Sequence, residues 1–326
     1  MSLNRSFAAL MAAVALLACQ ATAAHAQLTR TFVSAAVGND ANDCSQATPC
    51  RSFQGAHDKT SPNGEITVLD PGGYGAVTIA KSISIVNDGV GEAGILVSAG
   101  GVGIVVNAGQ ADYVNLRGIT IQGIGFGGST GVQFLSAFAF TLSDCVIRNN
   151  VGEGLFLEPS TNSHLSISKT LITDNGGAGI HIAPAGAGNP EFDLNEVEAY
   201  HNSVHGLLID TSHINKTVNG TFLGSVNVAV TDSLFGNNAQ GGLATNDNPA
   251  VTPPGSVIVT RSLFANNKFG FVIGSSSIPV LVGGSIVAGN STAAVGGTAA
   301  AVNTFRDNYS IANNGSDGLG FTNFLK

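Results

Sequence analysis

The amino-acid sequence predicts an all-β protein, a single-stranded parallel β-helix (a solenoid) of about ten coils. First, a phrase made of a short apolar run, an asparagine and a glycine-led apolar run recurs at intervals of about 23 to 36 residues. Second, the apolar runs are about four to six residues long and rich in Val, Ile, Leu and Phe, which favours strands over helices. Third, a coil of such strands cannot bury its own apolar face, so successive coils must stack to close a core.

The repeat places an asparagine column in one turn of each coil. Asparagine tolerates left-handed backbone, and its side-chain amide can hydrogen-bond to the next asparagine of a stack. We predict a structural ladder rather than metal or sugar ligands, because a binding site needs only a few equivalent positions. The predicted ladder consists of Asn150, Asn175, Asn202, Asn238, Asn267, Asn290 and Asn314.

The N-terminal residues predict export. Arg5 precedes an apolar stretch over residues 7–18 and then a small-residue segment, the pattern of a secretory signal peptide over residues 1–26. The alternative is a lipoprotein-type sequence, LLAC, whose Cys19 would carry a lipid. We expect the mature protein in the periplasm or outside the cell, with no transmembrane segment, because no later apolar stretch is long enough to cross a bilayer.

The composition is acidic and rich in glycine. The full chain has a net charge of −8 and contains 43 glycines, while charged residues make up only 10% of it. This negative charge argues against nucleic acid as a partner. The scarcity of charge indicates a protein stabilised by stacking rather than by surface ion pairs.

The cysteines fall into two groups. Cys44 and Cys50 lie in a polar loop, and in an exported protein a disulfide is the favoured interpretation. A metal site there would need further thiolates or histidines, and only His57 is near. Cys145 occupies a repeat column where other coils have Thr or Ser, so we expect a buried, inert thiol.

The coil pattern divides the mature chain. Residues 27–63 lack it and include a short amphipathic segment at 51–59, so we expect an N-terminal cap over the first coil. Residues 64–326 supply the coils. No linker interrupts them, which predicts one domain.

Several segments carry a resemblance to a known group of proteins. Residues 32–40 read FVSAAVGND, residues 49–53 read PCRSF, residues 64–74 read GEITVLDPGGY and residues 79–85 read IAKSISI. Together with the repeats they resemble bacterial secreted right-handed parallel β-helix proteins of the pectate-lyase-like superfamily. The resemblance covers nearly the whole mature chain. It implies a fold more than an activity, because that superfamily includes lyases, hydrolases, epimerases, esterases, tailspikes and adhesins.

A column of charged residues is the candidate site. It lies two positions before the first apolar residue of one strand, and neighbouring coils are about 4.8 Å apart. The resemblance implies chemistry here: in lyases of this fold, acidic groups hold calcium and a Lys or Arg abstracts the sugar proton. We predict Lys169 and Arg261 as catalytic residues and Asp144, Glu196 and Asp232 as substrate-binding residues. Lys169 is expected to meet Asp144 and Glu196, and Asp232 to meet Arg261.

The same column has a structural interpretation, because alternating signs avoid like-charge stacking on a solvent-facing surface. The asparagine–threonine–aspartate, paired-aspartate and glycine–histidine–glycine elements of polygalacturonases are missing, which argues against a polygalacturonase. Long segments at 158–164, 184–193, 211–227 and 245–256 follow the glycine-led strands, so they are expected to wall a groove on one flank.

Two further features bear on the site. A zinc site is an alternative for His181, His201, His205 and His213, although no tight ligand spacing connects them. The chain has no Trp and 4 Tyr, which argues against a tight neutral-sugar site, because ring stacking supplies much of the affinity there.

The sequence therefore predicts an extracytoplasmic protein that contacts polysaccharide along a loop-walled flank and has lyase-like activity, with calcium as the cofactor that the resemblance implies. The rival prediction is a non-catalytic, adhesin-like surface or envelope protein, supported by the missing motifs and scarce aromatics. The sequence does not specify the polysaccharide or the oligomeric state.

Overall fold

A computed structural model describes residues 28–124, 127–214, 223–246, 254–274, 278–297, 302–305 and 307–315. Within these ranges the chain forms three parallel sheets and one short helix. Each coil contributes one strand to each sheet in turn, which confirms the predicted parallel β-helix. The predicted signal peptide and Cys19 lie outside the described residues.

The three sheets have 11, 10 and 9 strands in the described part of the chain. Sheet 1 consists of Leu28–Val33, Thr60–Val68, Ile83–Val86, Tyr113–Arg117, Ala139–Ser143, His164–Ser168, Glu191–Asn195, Val226–Thr231, Gly255–Thr260, Val280–Gly283 and Val302–Thr304. Sheet 2 consists of Gly72–Gly73, Ala93–Leu96, Ile119–Gln122, Val146–Arg148, Leu171–Thr173, Glu198–Tyr200, Leu234–Gly236, Leu263–Ala265, Ile286–Ala288 and Tyr309–Ile311. Sheet 3 consists of Val77–Ile79, Val102–Asn107, Thr130–Ser136, Leu155–Leu157, Ile180–Ile182, His205–Asp210, Gly241–Asn246, Phe269–Ile273 and Ala293–Gly297.

The core fills the inside of the stack. Alternation along each strand buries every second side chain, as in Ala139–Ser143, where Phe140 and Leu142 are buried. Because adjacent strands pair in register, similar side chains of successive coils stack on one another. The rings of Phe235 and Phe264, for example, are paired in adjacent strands and lie 5.2 Å apart with an interplanar angle of 11°. Continuous side-chain columns therefore replace a single globular core.

The asparagine ladder occupies the turn from sheet 2 to sheet 3. Asn238 shows its pattern: its Nδ2 donates to Asn267 Oδ1 at 3.1 Å and to the carbonyl of Ala199 at 3.1 Å, and its backbone N–H donates to Asn267 Oδ1 at 2.9 Å. The same bonds connect the other buried members, which are Asn150, Asn175, Asn202, Asn267, Asn290 and Asn313.

Two expectations about this ladder were wrong. The member that follows Asn290 is Asn313, not Asn314, since Asn290 Nδ2 donates to Asn313 Oδ1 at 2.7 Å. Asn314 is exposed and donates its backbone N–H to the carbonyl of Asn290. The left-handed residue is also not the ladder asparagine but the one before it, as in Asn237 with φ 55° and Asn266 with φ 58°. The ladder side chains are thus selected by amide hydrogen bonding rather than by tolerance of positive φ.

A hydroxyl ladder occupies the corner from sheet 1 to sheet 2. Ser233 Oγ donates to the carbonyl of Thr231 at 2.7 Å and accepts the backbone N–H of Val197 at 3.1 Å. Ser262 Oγ likewise accepts the N–H of Ser233 at 3.2 Å. Cys145 fills the same column as a buried free thiol, and burial raises its pKa to about 12. The predicted inert thiol follows from this placement.

The N-terminal segment is more regular than the sequence indicated. Strand Leu28–Val33 pairs in parallel with Thr60–Val68, so sheet 1 begins inside the expected cap, and the boundary at residue 63 falls within a strand. Helix α1, Phe53–Lys59, begins at the N-cap Ser52, whose side chain accepts the N–H of Gly55. The alternation in the first strand is obscured because the inward-facing Thr31 is polar.

The predicted disulfide between Cys44 and Cys50 is present, and both cysteines are buried. It closes the loop that connects the first strand to helix α1. Phe32 holds both ends of that loop through backbone hydrogen bonds to the two cysteines, each 2.9 Å long. The disulfide and the first strand therefore stabilise the same end of the solenoid.

Candidate functional site

The predicted charged column forms the corner between sheets 1 and 2. All of its members are exposed and left-handed, with φ between 48° and 54°. They are Asp144, Lys169, Glu196, Asp232 and Arg261. A side chain in this conformation costs about 1 to 2 kcal/mol. The flanking coils use Gly118 and Gly284 at the corner, with φ of 72° and 58°.

At several corners the residue that follows the charged one has a buried hydroxyl, which hydrogen-bonds to the backbone before the corner. This bond holds the backbone from which the charged side chain projects. Thr170 Oγ1 donates to the carbonyl of Ser168 at 2.8 Å, which braces the corner at Lys169. Ser233 and Ser262 do the same after Asp232 and Arg261. The corner side chains therefore project from a backbone held by internal hydrogen bonds, in successive rows about 4.8 Å apart.

The ion pairs differ in part from the expected ones. Arg261 pairs with Asp232, with Nε to Oδ1 at 2.8 Å and Nη2 to Oδ2 at 2.7 Å. This bidentate bond lowers the pKa of Asp232 and raises that of Arg261. Asp144 pairs with Arg117 at 3.3 Å rather than with Lys169.

Lys169 forms neither of the two expected ion pairs. Within the described part of the chain, no nitrogen–oxygen distance of 4.0 Å or less connects its ammonium group to a carboxylate. A lysine side chain is long and loses rotamer entropy when it is held in one geometry, which offsets the gain from an exposed pair. Lys169 therefore presents a charge that no described carboxylate neutralises.

Four of the five predicted residues line an open groove of about 700 Å³. Its wall consists of Lys169, Glu196, Asp232 and Arg261; Asp144 lies outside it. Its floor is the outer face of sheet 2, with the side chains of Leu171, Glu198, Leu234, Leu263 and Ile286. The groove thus crosses several coils parallel to the solenoid axis and combines charged groups with an aliphatic floor.

These carboxylates do not fit a calcium ion. Calcium takes six to eight oxygen ligands, several of them carboxylates. Across the described residues, no three His, Cys, Asp or Glu side chains converge on a common point. The carboxylate of Asp232 is moreover occupied by Arg261. The charged column is therefore not arranged as a calcium site.

Within the described residues, the four histidines predicted as alternative zinc ligands form no metal-binding cluster, although His181 Nε2 and His213 Nδ1 each lie 4.0 Å from Asp210 Oδ2. His205 points its Nδ1 at the N–H of Gly241, 3.1 Å away, which occupies that nitrogen. His201 lies at the asparagine turn beside Asp174, at 3.8 Å. His181 has Glu153 at 3.7 Å on one nitrogen and Asp210 at 4.0 Å on the other, so the two carboxylates flank it from opposite sides.

The long connections and the charged column lie on opposite edges of sheet 1. The long segments connect sheet 3 to sheet 1 and enter the strands at His164, Glu191 and Val226. The charged column begins where the same strands end. The prediction that the long connections wall a groove containing the charged column is therefore wrong. A strand of about five residues, some 17 Å long, separates the connections from the column.

Sequence reasoning missed a row of side-chain rings at the edge where the long connections enter. The ring of Tyr113 lies 5.2 Å from that of Phe138, which lies 5.3 Å from the imidazole of His164. His164 Nδ1 lies 3.0 Å from a carboxylate oxygen of Glu191. In the sequence these three residues are spaced by about one coil, and this spacing could have indicated the row. The low overall number of aromatic residues obscured it.

No helix in the described part of the chain is long and apolar enough to cross a bilayer. The one described helix, α1, has 7 residues.

Three sheets of stacked parallel strands, with one short corner and one asparagine turn per coil, define a β-helix solenoid as the class of protein. The profile of the family described as "Right handed beta helix region" matches residues 66–223 and 102–314. These matches cover most of the chain, so it belongs to the right-handed β-helix family. No curated protein matches the chain.

Two solved structures share the fold. A structure titled "Crystal structure of pectate lyase Pel9A" has a TM-score of 0.59 and 16% identity, covering 85% of this chain and 80% of its own. A structure titled "Rhamnogalacturonan lyase" has a TM-score of 0.56 and 11% identity, covering 81% of this chain and 74% of its own. At these identities the likeness establishes the fold alone.

Proposed function

We propose that this protein binds a polysaccharide along the corner groove and cleaves it by a lyase-type elimination. The observation that carries the proposal is Lys169, an exposed lysine in strained left-handed backbone that faces an open groove and has no described ion-pair partner. Strain of this kind persists where the surrounding structure enforces it, and it is concentrated at functional sites. The two lyases of the same fold make a polysaccharide the natural ligand class.

The chemistry assigned to Lys169 is proton abstraction. In its neutral form the amine takes the proton from the carbon next to a uronate carboxylate. The electron pair of that C–H bond forms a carbon–carbon double bond, and the glycosidic oxygen leaves with its bonding pair and takes a proton from solvent. Arg261 is held as a cation by Asp232, so the base is Lys169 rather than Arg261.

The remaining groove residues position the polymer. Glu196 and Glu198 are exposed carboxylates that accept hydrogen bonds from sugar hydroxyls, and the ion pair of Arg261 with Asp232 offers both donors and acceptors. The aliphatic floor covers the C–H faces of sugar rings. The disulfide supports an extracytoplasmic location, since such bonds persist in oxidising compartments. Signal-peptide cleavage before Gln27 is part of the same proposal, with lipid attachment at Cys19 as its alternative.

The test is an assay of the purified mature protein against uronic-acid polymers, following absorbance of the unsaturated product. Lys169→Gln should abolish product formation, whereas Lys268→Gln should not, because Lys268 is an exposed lysine outside the groove. Absence of product together with absence of glycan retention would overturn the proposal. Equal activity of Lys169→Gln and the unmodified protein would remove Lys169 as the base.

A further inference from the structure

The ring row of Tyr113, Phe138 and His164 lies on a surface separate from the corner groove. In sheet 1, Tyr113 pairs with Ala139, Ala139 with His164, and His164 with Glu191. Ala139 has a small side chain, and the ring of the preceding Phe138 fills the gap above it. The row therefore runs parallel to the solenoid axis over two coil steps, on the order of 10 Å.

The rings are accessible from solvent. Tyr113 is 57% exposed, and the side chain of His164 is 54% exposed. The core columns of this protein lie on the inner face of the same strands, with Val114, Phe140 and Leu165 buried there, so the exposed rings are not part of the core. Aromatic faces bind the apolar C–H side of a pyranose ring, and a row of rings offers successive contacts to a chain molecule.

A column of polar side chains borders the ring row. Residues two positions further along each strand point to the same outer face and pair in register. They are Asn115, Thr141, Ser166 and Asp193. Their amide, hydroxyl and carboxylate groups provide the donors and acceptors that sugar hydroxyls need. The surface thus has the two components of a saccharide site, a stacking row and a hydrogen-bonding row.

The charge on this surface selects against acidic sugars. Glu191 and Asp193 are exposed carboxylates on one strand face, and only Glu191 has a described ion-pair partner, the imidazole of His164. The residues paired in register with Tyr113 are Ala139, His164, Glu191, Asn227 and Ser256. Neither these positions nor the polar column contains Lys or Arg. Arg117, further along the first strand on the same face, is held by Asp88 and Asp144. A uronate carboxylate at the two columns would therefore meet like charge without a lysine or arginine of those columns to neutralise it.

We propose that the ring row and its polar column form a second saccharide-binding surface, which takes uncharged or amino-sugar residues rather than uronates. This inference rests on the proposed function, because both take a polysaccharide as the ligand. It adds a second binding site that prefers a different class of sugar residue. A polymer of mixed composition would occupy both surfaces.

The test is calorimetric titration of the full mature protein with three hexasaccharides. These are oligomers of N-acetylglucosamine, which is uncharged, of glucosamine, which is cationic, and of galacturonate, which is anionic. The uncharged oligomer is expected to bind at least tenfold more tightly than galacturonate at this surface. Tyr113→Ala should weaken that binding at least fivefold, and Tyr113→Phe should retain it, because the ring face makes the contact.

Matched controls separate a local effect from unfolding. Tyr309 is 72% exposed on sheet 2, away from the ring row, so Tyr309→Ala should leave all three affinities unchanged. Glu191→Gln should reduce the affinity for the glucosamine oligomer more than that for the uncharged oligomer. Far-ultraviolet circular dichroism and melting temperature verify that each variant is folded.

The outcomes distinguish this inference from the proposed function. Equal losses for Tyr113→Ala and Tyr309→Ala, or galacturonate binding that depends on Tyr113, would overturn the second surface. Binding that is lost in Lys169→Gln but unchanged in Tyr113→Ala would overturn it as well while leaving the corner groove intact. Binding that depends on Tyr113, without any elimination product from uronic-acid polymers, would support the second surface and remove the lyase activity.

Discussion

His205 Nδ1 accepts the backbone N–H of Gly241 across adjacent coils at a distance of 3.1 Å. This bond requires a lone pair on Nδ1, so it exists only while the imidazole is neutral and carries its single proton on Nε2. His205 is nearly buried, and burial lowers its pKa to about 4. The relationship makes stability depend on pH in a defined direction.

We predict that the free energy of unfolding falls as pH decreases from about 6.5 towards 4. A lowered folded-state pKa means that the unfolded chain binds the proton first, so the contribution of neutral His205 is complete above about pH 6.5 and is lost below it, by up to about 3 kcal/mol. Urea titrations at pH 7.5 and 5 would measure the loss. His205→Asn, whose carbonyl can accept the same N–H, should lose less. His57, also lowered in pKa by burial, acts in the same direction in both proteins and cancels in the comparison.

Replacement of the ladder residue Asn238 by Leu should cost on the order of 2 to 4 kcal/mol. Leu has nearly the shape of Asn but removes the hydrogen bonds from Asn238 to buried groups of Asn202, Ala199 and Asn267. Asn150→Leu, at the first position of the ladder, should cost less, because Asn150 Oδ1 has no described hydrogen-bond partner to lose. Guanidinium denaturation would compare them. Asn314→Leu is the control and should change stability by less than about 0.5 kcal/mol; a large effect there would mean that the ladder register is wrong.

At Lys169 we predict that glycine is more stabilising than alanine by about 1 kcal/mol. Both remove the charge, but only glycine relieves the left-handed backbone at φ 48°. The order should be reversed at Lys268, an exposed lysine whose φ is not positive. Melting temperatures of the four variants would test this. The same order at both positions would contradict the assigned corner conformation.

The disulfide predicts a thiol count and an order of events. In unfolded, unreduced mature protein, thiol titration should detect only Cys145. The bridged cysteines are 6 residues apart, and closing so short a loop contributes about 2 kcal/mol on the loop-entropy model. Hydrogen exchange after mild reduction should therefore increase first in helix α1 and the first strand. Three reactive thiols would contradict the pairing.

The fold could be predicted from the sequence because its period is local: each coil repeats the same apolar and turn residues at matching positions. Single-residue registers were harder. Asn313 and Asn314 are adjacent asparagines, and only the stacked backbone decides which of them points inward. Of the ion pairs between coils at the charged column, one could be predicted from the sequence and one could not. Arg261 and Asp232 meet, whereas Arg117 binds Asp144 from a coil where the corner residue is Gly118 and the sequence alignment offered no charged partner.

The opposite-edge arrangement of loops and charges could not be read from the repeat alone, because it depends on which strand belongs to which sheet. The ring row was missed for a similar reason. Tyr113, Phe138 and His164 are of three residue types and do not share one repeat position, since Phe138 precedes the paired column by one residue. Their contact exists only once the coils are stacked.

Because of the hydroxyl ladder, the backbone shape of the corner does not depend on which residue occupies its exposed position. Ser233 and Ser262 bind backbone atoms alone, so the curvature of the chain at Asp232 and Arg261 is set from inside. An acid, a base or a glycine is accommodated at the same place on the same scaffold. Specificity in such a protein can therefore diverge by substitutions at a row of interchangeable positions, without insertion, deletion or repacking, and closely related solenoids can differ in ligand while sharing one backbone.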